Sequence, residues 1–111
     1  MQQSLSADKY IVAVKKTRIK PIRGHWTTQN GACPLYIWAY SKLKRVDETV
    51  RPSDTNKVLP YMLNMVGLDY RNGFTAAIDL ISLDEFSQEE KTPHFLKGYD
   101  EGEYVVKQLN L

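Results

Sequence analysis

A row of aromatic and basic side chains is the feature of this sequence that best matches a known chemistry. Within residues 35 to 46, aromatic residues and then lysines alternate with mainly aliphatic ones. Side chains on one face of a β-strand recur about every 7 Å, so the alternation predicts a strand with one aromatic and basic face. Bases of single-stranded nucleic acid would stack on the rings, at roughly 1–3 kcal/mol each, while the lysines neutralise phosphates. The predicted face consists of Tyr36, Trp38, Tyr40, Lys42 and Lys44.

More basic residues precede this segment. Residues 9 to 19 are rich in β-branched types and predict another strand. Three cations alternate at the solvent-exposed end of this predicted strand, Lys16, Arg18 and Lys20, and Arg23 follows closely. If the two strands pair, these four cations extend the predicted nucleic-acid-binding patch.

Charge is divided unevenly between the two halves of the chain. Residues 1 to 57 hold eleven Lys/Arg against four Asp/Glu, and residues 58 to 111 hold four against nine. A basic surface concentrates anionic partners whatever the fold. The acidic residues near 84 to 90 provide a competing interpretation, because they could neutralise the patch within one molecule or across a homodimer.

The aromatic row also has an interpretation as protein core. Leu59, Leu63 and Val66 recur at helical spacing, and Gly67 stands where a helix cap belongs. A helix packed on the sheet would cover the rings, Trp38 among them, as commonly happens in such folds. The sequence does not decide whether the rings are exposed or buried.

Few residues suggest catalysis. His25 and His94 are the only histidines, and an RNase-like acid/base reaction would have to use them. Cys33, the only cysteine, precedes Pro34 without a nucleophile motif around it and is typical of a small, partly buried thiol. No nucleotide-binding or zinc-finger motif is present, so we predict no catalytic residues, no metal and no cofactor.

The elements expected to position these residues form an α+β fold. We predict a flexible tail at residues 1 to 8 and a single domain at residues 9 to 111, with an antiparallel sheet of about five strands and two short helices. Asn30-Gly31 and Asn72-Gly73 predict hairpin turns, and Ser82 begins a capping-box spacing with Glu85. The other strands are predicted at residues 26 to 29, 68 to 71, 74 to 81 and 103 to 109.

Composition indicates a cytoplasmic protein. A single cysteine excludes an intrachain disulfide and suits a reducing compartment. The first ten residues are polar, and no stretch approaches the roughly 18 apolar residues of a membrane span. We therefore expect neither export nor membrane association.

These observations favour a small non-catalytic binding module that engages single-stranded nucleic acid or a nucleoprotein complex through the basic and aromatic sheet face. The alternative is a compact accessory or inhibitor protein of the phage or mobile-element type. It would bind and block a host protein, for example one that binds nucleic acid. There the rings would be the anchors of the interface. An RNase-like enzyme using His25 and His94 is the third hypothesis.

Overall fold

The described part of the chain folds into five α-helices and one small hairpin, so the predicted α+β fold with about five strands is wrong. The computed structural model describes residues 2–46 and 48–111; Met1 and Asp47 lie outside the described residues. Within those ranges the one sheet has two strands, and no helix is both long and apolar enough to cross a membrane. The elements are α1 (Gln2–Thr17), β1 (Thr27–Thr28), β2 (Gly31–Ala32), α2 (Pro34–Val46), α3 (Thr55–Val66), α4 (Leu68–Ile78), a 3₁₀ turn (Leu83–Glu85) and α5 (Pro93–Leu109).

Helix α1 replaces the strand predicted at residues 9 to 19. Ala7, Tyr10 and Val14 are buried at intervals of three and four, whereas Val12 is exposed. That spacing places the buried residues on one side of a helix, and their packing outweighs the weak helix propensity of the β-branched residues. From Gln2 onward the segment predicted as a tail, residues 1 to 8, belongs to this helix.

Helix α2 replaces the strand predicted at residues 35 to 46 and lies in the middle of the fold. It contacts α1, α3 and α4, and residues 31 to 40 are all buried. A helix surrounded on all sides needs apolar side chains on all sides. Its sequence therefore lacks a polar face with helical period, and the alternation it does have does not reflect a strand.

Helices α4 and α5 pack closely through glycines. Gly73, Gly98 and Gly102 are buried at their contact, and a Cβ atom on Gly102 would lie 2.7 Å from the carbonyl oxygen of Phe74. Glycine allows the two backbones to approach this closely. The hairpin predicted at Asn72-Gly73 and the strands predicted at residues 68 to 71, 74 to 81 and 103 to 109 are therefore wrong.

Two local signals coincide with elements of the structure, one of them at a shifted position. A hairpin forms with Thr28 opposite Gly31, but its turn lies one residue earlier than the predicted Asn30-Gly31, and neither of these residues has positive φ. Helix α3 contains the predicted helix at residues 59 to 66, and Gly67 ends it with φ +84° and an N–H that donates to the Leu63 carbonyl. The second predicted helix is reduced to the 3₁₀ turn, where the Ser82 side chain accepts a hydrogen bond from the Asp84 N–H.

Buried hydroxyl groups connect α1, α4 and α5. The Tyr10 and Tyr70 hydroxyls lie 2.7 Å apart, and Tyr70 donates to the Glu101 carboxylate. Nearer the surface, the Tyr104 hydroxyl donates to Asp8 over 2.5 Å. Because buried polar groups are costly without partners, these bonds favour one arrangement of the three helices.

Candidate functional site

The aromatic row predicted to bind bases lies inside the protein. Tyr36, Trp38 and Tyr40 are 0, 5 and 6 % exposed. On a helix, residues two apart point to nearly opposite sides, so α2 divides the row. Trp38 packs edge-on against Tyr10 with ring centroids 5.5 Å apart, and the Tyr36 hydroxyl donates to the Pro52 carbonyl over 2.8 Å. Rings enclosed in this way have no free face on which a base could stack.

Part of the predicted basic patch does come together, at the carboxyl ends of α1 and α2. Lys16 and Lys44 line one open groove of about 610 Å³, and Arg45 joins them. The ammonium group of Lys44 lies 6.0 Å from the centroid of the Tyr40 ring. The groove, named the basic groove below, is lined by Lys16, Thr17, Ile19, Tyr40, Ser41, Lys44, Arg45, Glu48 and Pro52.

The remaining predicted cations lie outside this lining. Arg18, Lys20 and Arg23 are exposed on the segment after α1, and Lys42 is half-buried on α2. Arg18 has φ +60°, a left-handed conformation that ends α1. The Lys20 carbonyl accepts a hydrogen bond from the Ala32 N–H at 2.9 Å, which fixes the segment beside β2. The structure thus divides the nine predicted residues into three buried rings, two groove lysines and four other cations.

The net charge of the basic groove is modest. Lys16 lies in the last turn of α1, and Lys44 and Arg45 lie in the last turn of α2. Each helix end contributes about −0.5 charge, and Glu48 contributes one carboxylate. Once the two helix ends and Glu48 are subtracted from the three positive charges of Lys16, Lys44 and Arg45, a net charge of about +1 remains in the lining. The same cations also stabilise the two helix ends, so their presence alone does not require a ligand.

The two histidines lie on different segments of the chain. His25 is exposed before β1, and His94 is exposed in the first turn of α5. His25 lines a cavity of about 330 Å³ with Cys33 and Asp79, and His94 is not part of that lining. No group of three or more possible metal ligands is found among the described residues. The arrangement therefore gives no geometric support to an RNase-like pair.

The thiol of Cys33 is held in its protonated form. Burial raises its pKa to about 12, although hydrogen bonds from the backbone N–H groups of Leu35 and Tyr36 act in the opposite direction. A nucleophilic cysteine needs a substantial thiolate fraction near neutral pH. The Cys33 and His25 side chains therefore share a cavity without forming an activated pair.

Two apolar groove residues were missed from the sequence. Ile19 and Pro52 belong to the lining, but Ile19 was predicted only as part of a strand. Tyr40 was predicted as a binding residue, yet as a stacking ring and not as part of a groove lining. The available signal was the last-turn position of the cations in two consecutive helices, since basic residues are favoured there. That signal required recognising both segments as helices.

No protein-family model, curated protein or solved structure matches the chain. Similarity therefore supplies neither a family nor a function. The basic groove is the candidate site because it joins predicted binding residues from two separate helices.

Proposed function

We propose that this protein is a small non-catalytic binding module that engages nucleic acid through its phosphates, with the basic groove as the contact surface. The observation that carries the proposal is the juxtaposition of Lys16, Lys44 and Arg45 around one open groove. Lysine and arginine bind phosphate groups by charge-assisted hydrogen bonds. Trp38 is buried outside the groove lining, so the proposed interaction contains no base stacking by Trp38.

A site of this composition is expected to bind weakly and without sequence preference. Three phosphate contacts to a single strand correspond to a slope of about −2 for log K against log salt. Binding dominated by phosphates typically has a dissociation constant of about 10⁻⁴ to 10⁻⁶ M at physiological salt. Arg18, Lys20 and Arg23 would add to the attraction at low salt because they are exposed on the neighbouring segment.

The test is fluorescence anisotropy of a labelled single-stranded oligonucleotide titrated with the protein at several salt concentrations. Lys44→Glu and Arg45→Glu are each expected to weaken binding about tenfold and to reduce the salt slope, because each removes one phosphate contact and adds a repelling charge. A double-stranded oligonucleotide of the same sequence measures the strand preference.

Lys97→Glu is the matched control. Lys97 is exposed on α5 and lies outside the groove lining, yet its substitution changes the net charge by the same amount. It is expected to leave the affinity nearly unchanged. Equal weakening by Lys97→Glu and Lys44→Glu would show that net charge, and not the groove, determines binding. An absence of binding at low salt would refute the proposal.

An acidic protein surface is the second candidate ligand for the same groove. The groove combines three cations with apolar side chains, Ile19 and Pro52 among them, and such a mixture suits a protein interface as well as a phosphate backbone. A partner retained by immobilised protein after nuclease treatment, and lost in the Lys44→Glu variant, would favour this candidate.

A further inference from the structure

Leu80 occupies a position where neither backbone conformation nor burial favours leucine. It follows α4 with φ +61°, and its N–H donates to the Ala77 carbonyl over 3.1 Å while the Ile81 N–H donates to the Ala76 carbonyl over 2.9 Å. This pair of bonds closes a helix end whose left-handed residue is usually glycine. The Leu80 side chain is 60 % exposed. The stability of the fold therefore does not account for a leucine here.

The surroundings of Leu80 resemble the margin of an interface. It lines an open groove of about 710 Å³ beside α5, together with the apolar side chains of Ala77 and Val106. Asp100 and Glu103 belong to the same lining and are exposed. Ile81, next in the chain, is 40 % exposed. Exposed apolar residues bordered by charged ones are typical of protein–protein contact sites.

The complementary surface is present on the same chain. The basic groove has cations around an apolar lining, whereas the groove beside Leu80 has an apolar lining with carboxylates and one lysine, Lys107. We infer that a second copy of this protein docks here: Leu80 of one copy inserts between the apolar residues of the basic groove of the other. Asp100 and Glu103 then face Lys44 and Arg45.

This contact joins two different surfaces, so it is heterologous. Two copies joined by one such contact each keep one groove free for a further copy, which leads to a closed ring or an open chain. A dimer that forms the contact twice occupies all four grooves. The inference uses the basic groove of the proposed function but not its nucleic acid ligand. The proposed nucleic-acid binding and the proposed self-association can therefore fail independently. If both occur, an oligonucleotide and a second copy of the protein compete for the basic groove.

Sedimentation velocity of the purified protein over a range of concentrations at low salt measures the association. The wild-type protein is expected to self-associate, and added salt to weaken the complex because its charge pairs are screened. Leu80→Asn is expected to weaken association about tenfold or more, since asparagine tolerates the left-handed conformation but removes the apolar anchor. The matched control is Leu96→Asn, which changes an exposed leucine of α5 outside both grooves.

Charge reversal on each of the two contacting surfaces is the decisive experiment. The double variants Lys44→Glu/Arg45→Glu and Asp100→Lys/Glu103→Lys are each expected to stay monomeric, because each then carries two surfaces of like charge. Their equimolar mixture is expected to associate, because the unaltered Leu80 groove of the first variant meets the unaltered basic groove of the second, and the two altered surfaces are again opposite in charge. Monomeric wild-type protein at low salt, association that survives Leu80→Asn, or a mixture that does not associate would each overturn the inference. Titrating oligonucleotide into associated wild-type protein then tests the competition separately.

Discussion

The Tyr70 hydroxyl donates a hydrogen bond to the Glu101 carboxylate in the interior, where Glu101 is 2 % exposed. The Tyr10 hydroxyl lies 2.7 Å from that of Tyr70, so the three side chains link α1, α4 and α5. Burial raises the pKa of both tyrosines, and the charge of Glu101 acts in the same direction. Both hydroxyls therefore remain protonated in the folded protein at pH values where they would ionise in water.

The first prediction is a loss of stability at alkaline pH. In the unfolded chain, Tyr10 and Tyr70 lose their protons near pH 10, their ordinary pKa value, while in the folded chain they keep them. The folded state then binds more protons, so the free energy of unfolding falls as pH rises above about 10. Each tyrosine contributes about 1.4 kcal/mol per pH unit. Urea unfolding between about pH 8 and pH 11 measures this slope.

Tyr70→Phe is the control for that slope. It removes one raised pKa and is expected to make the alkaline slope shallower by about 1.4 kcal/mol per pH unit. At neutral pH it is expected to destabilise the protein by about 1–3 kcal/mol, because Glu101 loses its hydrogen-bond donor. Equal alkaline slopes for the wild-type protein and the Tyr70→Phe variant would contradict a raised pKa of Tyr70.

Gly98→Ala is expected to destabilise the fold even though alanine favours helix by about 1 kcal/mol over glycine. A Cβ atom at this position would overlap the backbone carbonyl of Tyr70 on α4, and overpacking of this kind costs about 1–3 kcal/mol or more. The melting temperature should fall by about 5 °C or more. Lys97→Ala, at the exposed neighbouring position, should have little effect. A melting temperature of Gly98→Ala equal to the wild-type value would show that α4 and α5 pack less closely.

Signals that depend on a single backbone position were readable from the sequence. The end of α3 at Gly67 was predicted because glycine tolerates positive φ, whereas the hairpin next to Asn30-Gly31 forms without positive φ at either of these residues. Gly73 was misinterpreted as a turn residue, since the sequence does not distinguish glycines needed for a turn from glycines needed for helix contact. Their role depends on which helix lies opposite.

Of the residues predicted to form the site, the structure brings together two lysines whose exposure does not depend on secondary structure. Lysines at a chain surface stay exposed on strand or helix, so Lys16 and Lys44 remained candidates and converge in the basic groove. The ring row depended on a period of two. On a helix in the middle of the fold the same residues point to several sides, which is why Trp38 became core.

Cys33 is expected to react slowly with a thiol-specific reagent in the folded protein. Its pKa of about 12 leaves very little thiolate near pH 8, and the side chain is buried. Unfolding in guanidinium should restore a normal pKa and expose the thiol, so one thiol per chain should then react rapidly. Absorbance of the released chromophore follows both rates. Rapid reaction of the folded protein would show that the cavity beside His25 admits solvent and the reagent, and that Cys33 ionises there.

Tryptophan fluorescence tests the burial of the ring row directly. The Trp26→Phe variant reports Trp38, which is 5 % exposed, and its emission should lie at short wavelength and resist quenching by acrylamide. The Trp38→Phe variant reports Trp26, which is partly exposed beneath the Arg71 guanidinium at 5.6 Å, and should be quenched more readily. Oligonucleotide added to the Trp26→Phe variant should leave the emission unchanged, because stacking of bases on Trp38 would require an accessible face. Strong quenching of Trp38 by the oligonucleotide would mean that α2 opens on binding and that the rings take part in recognition.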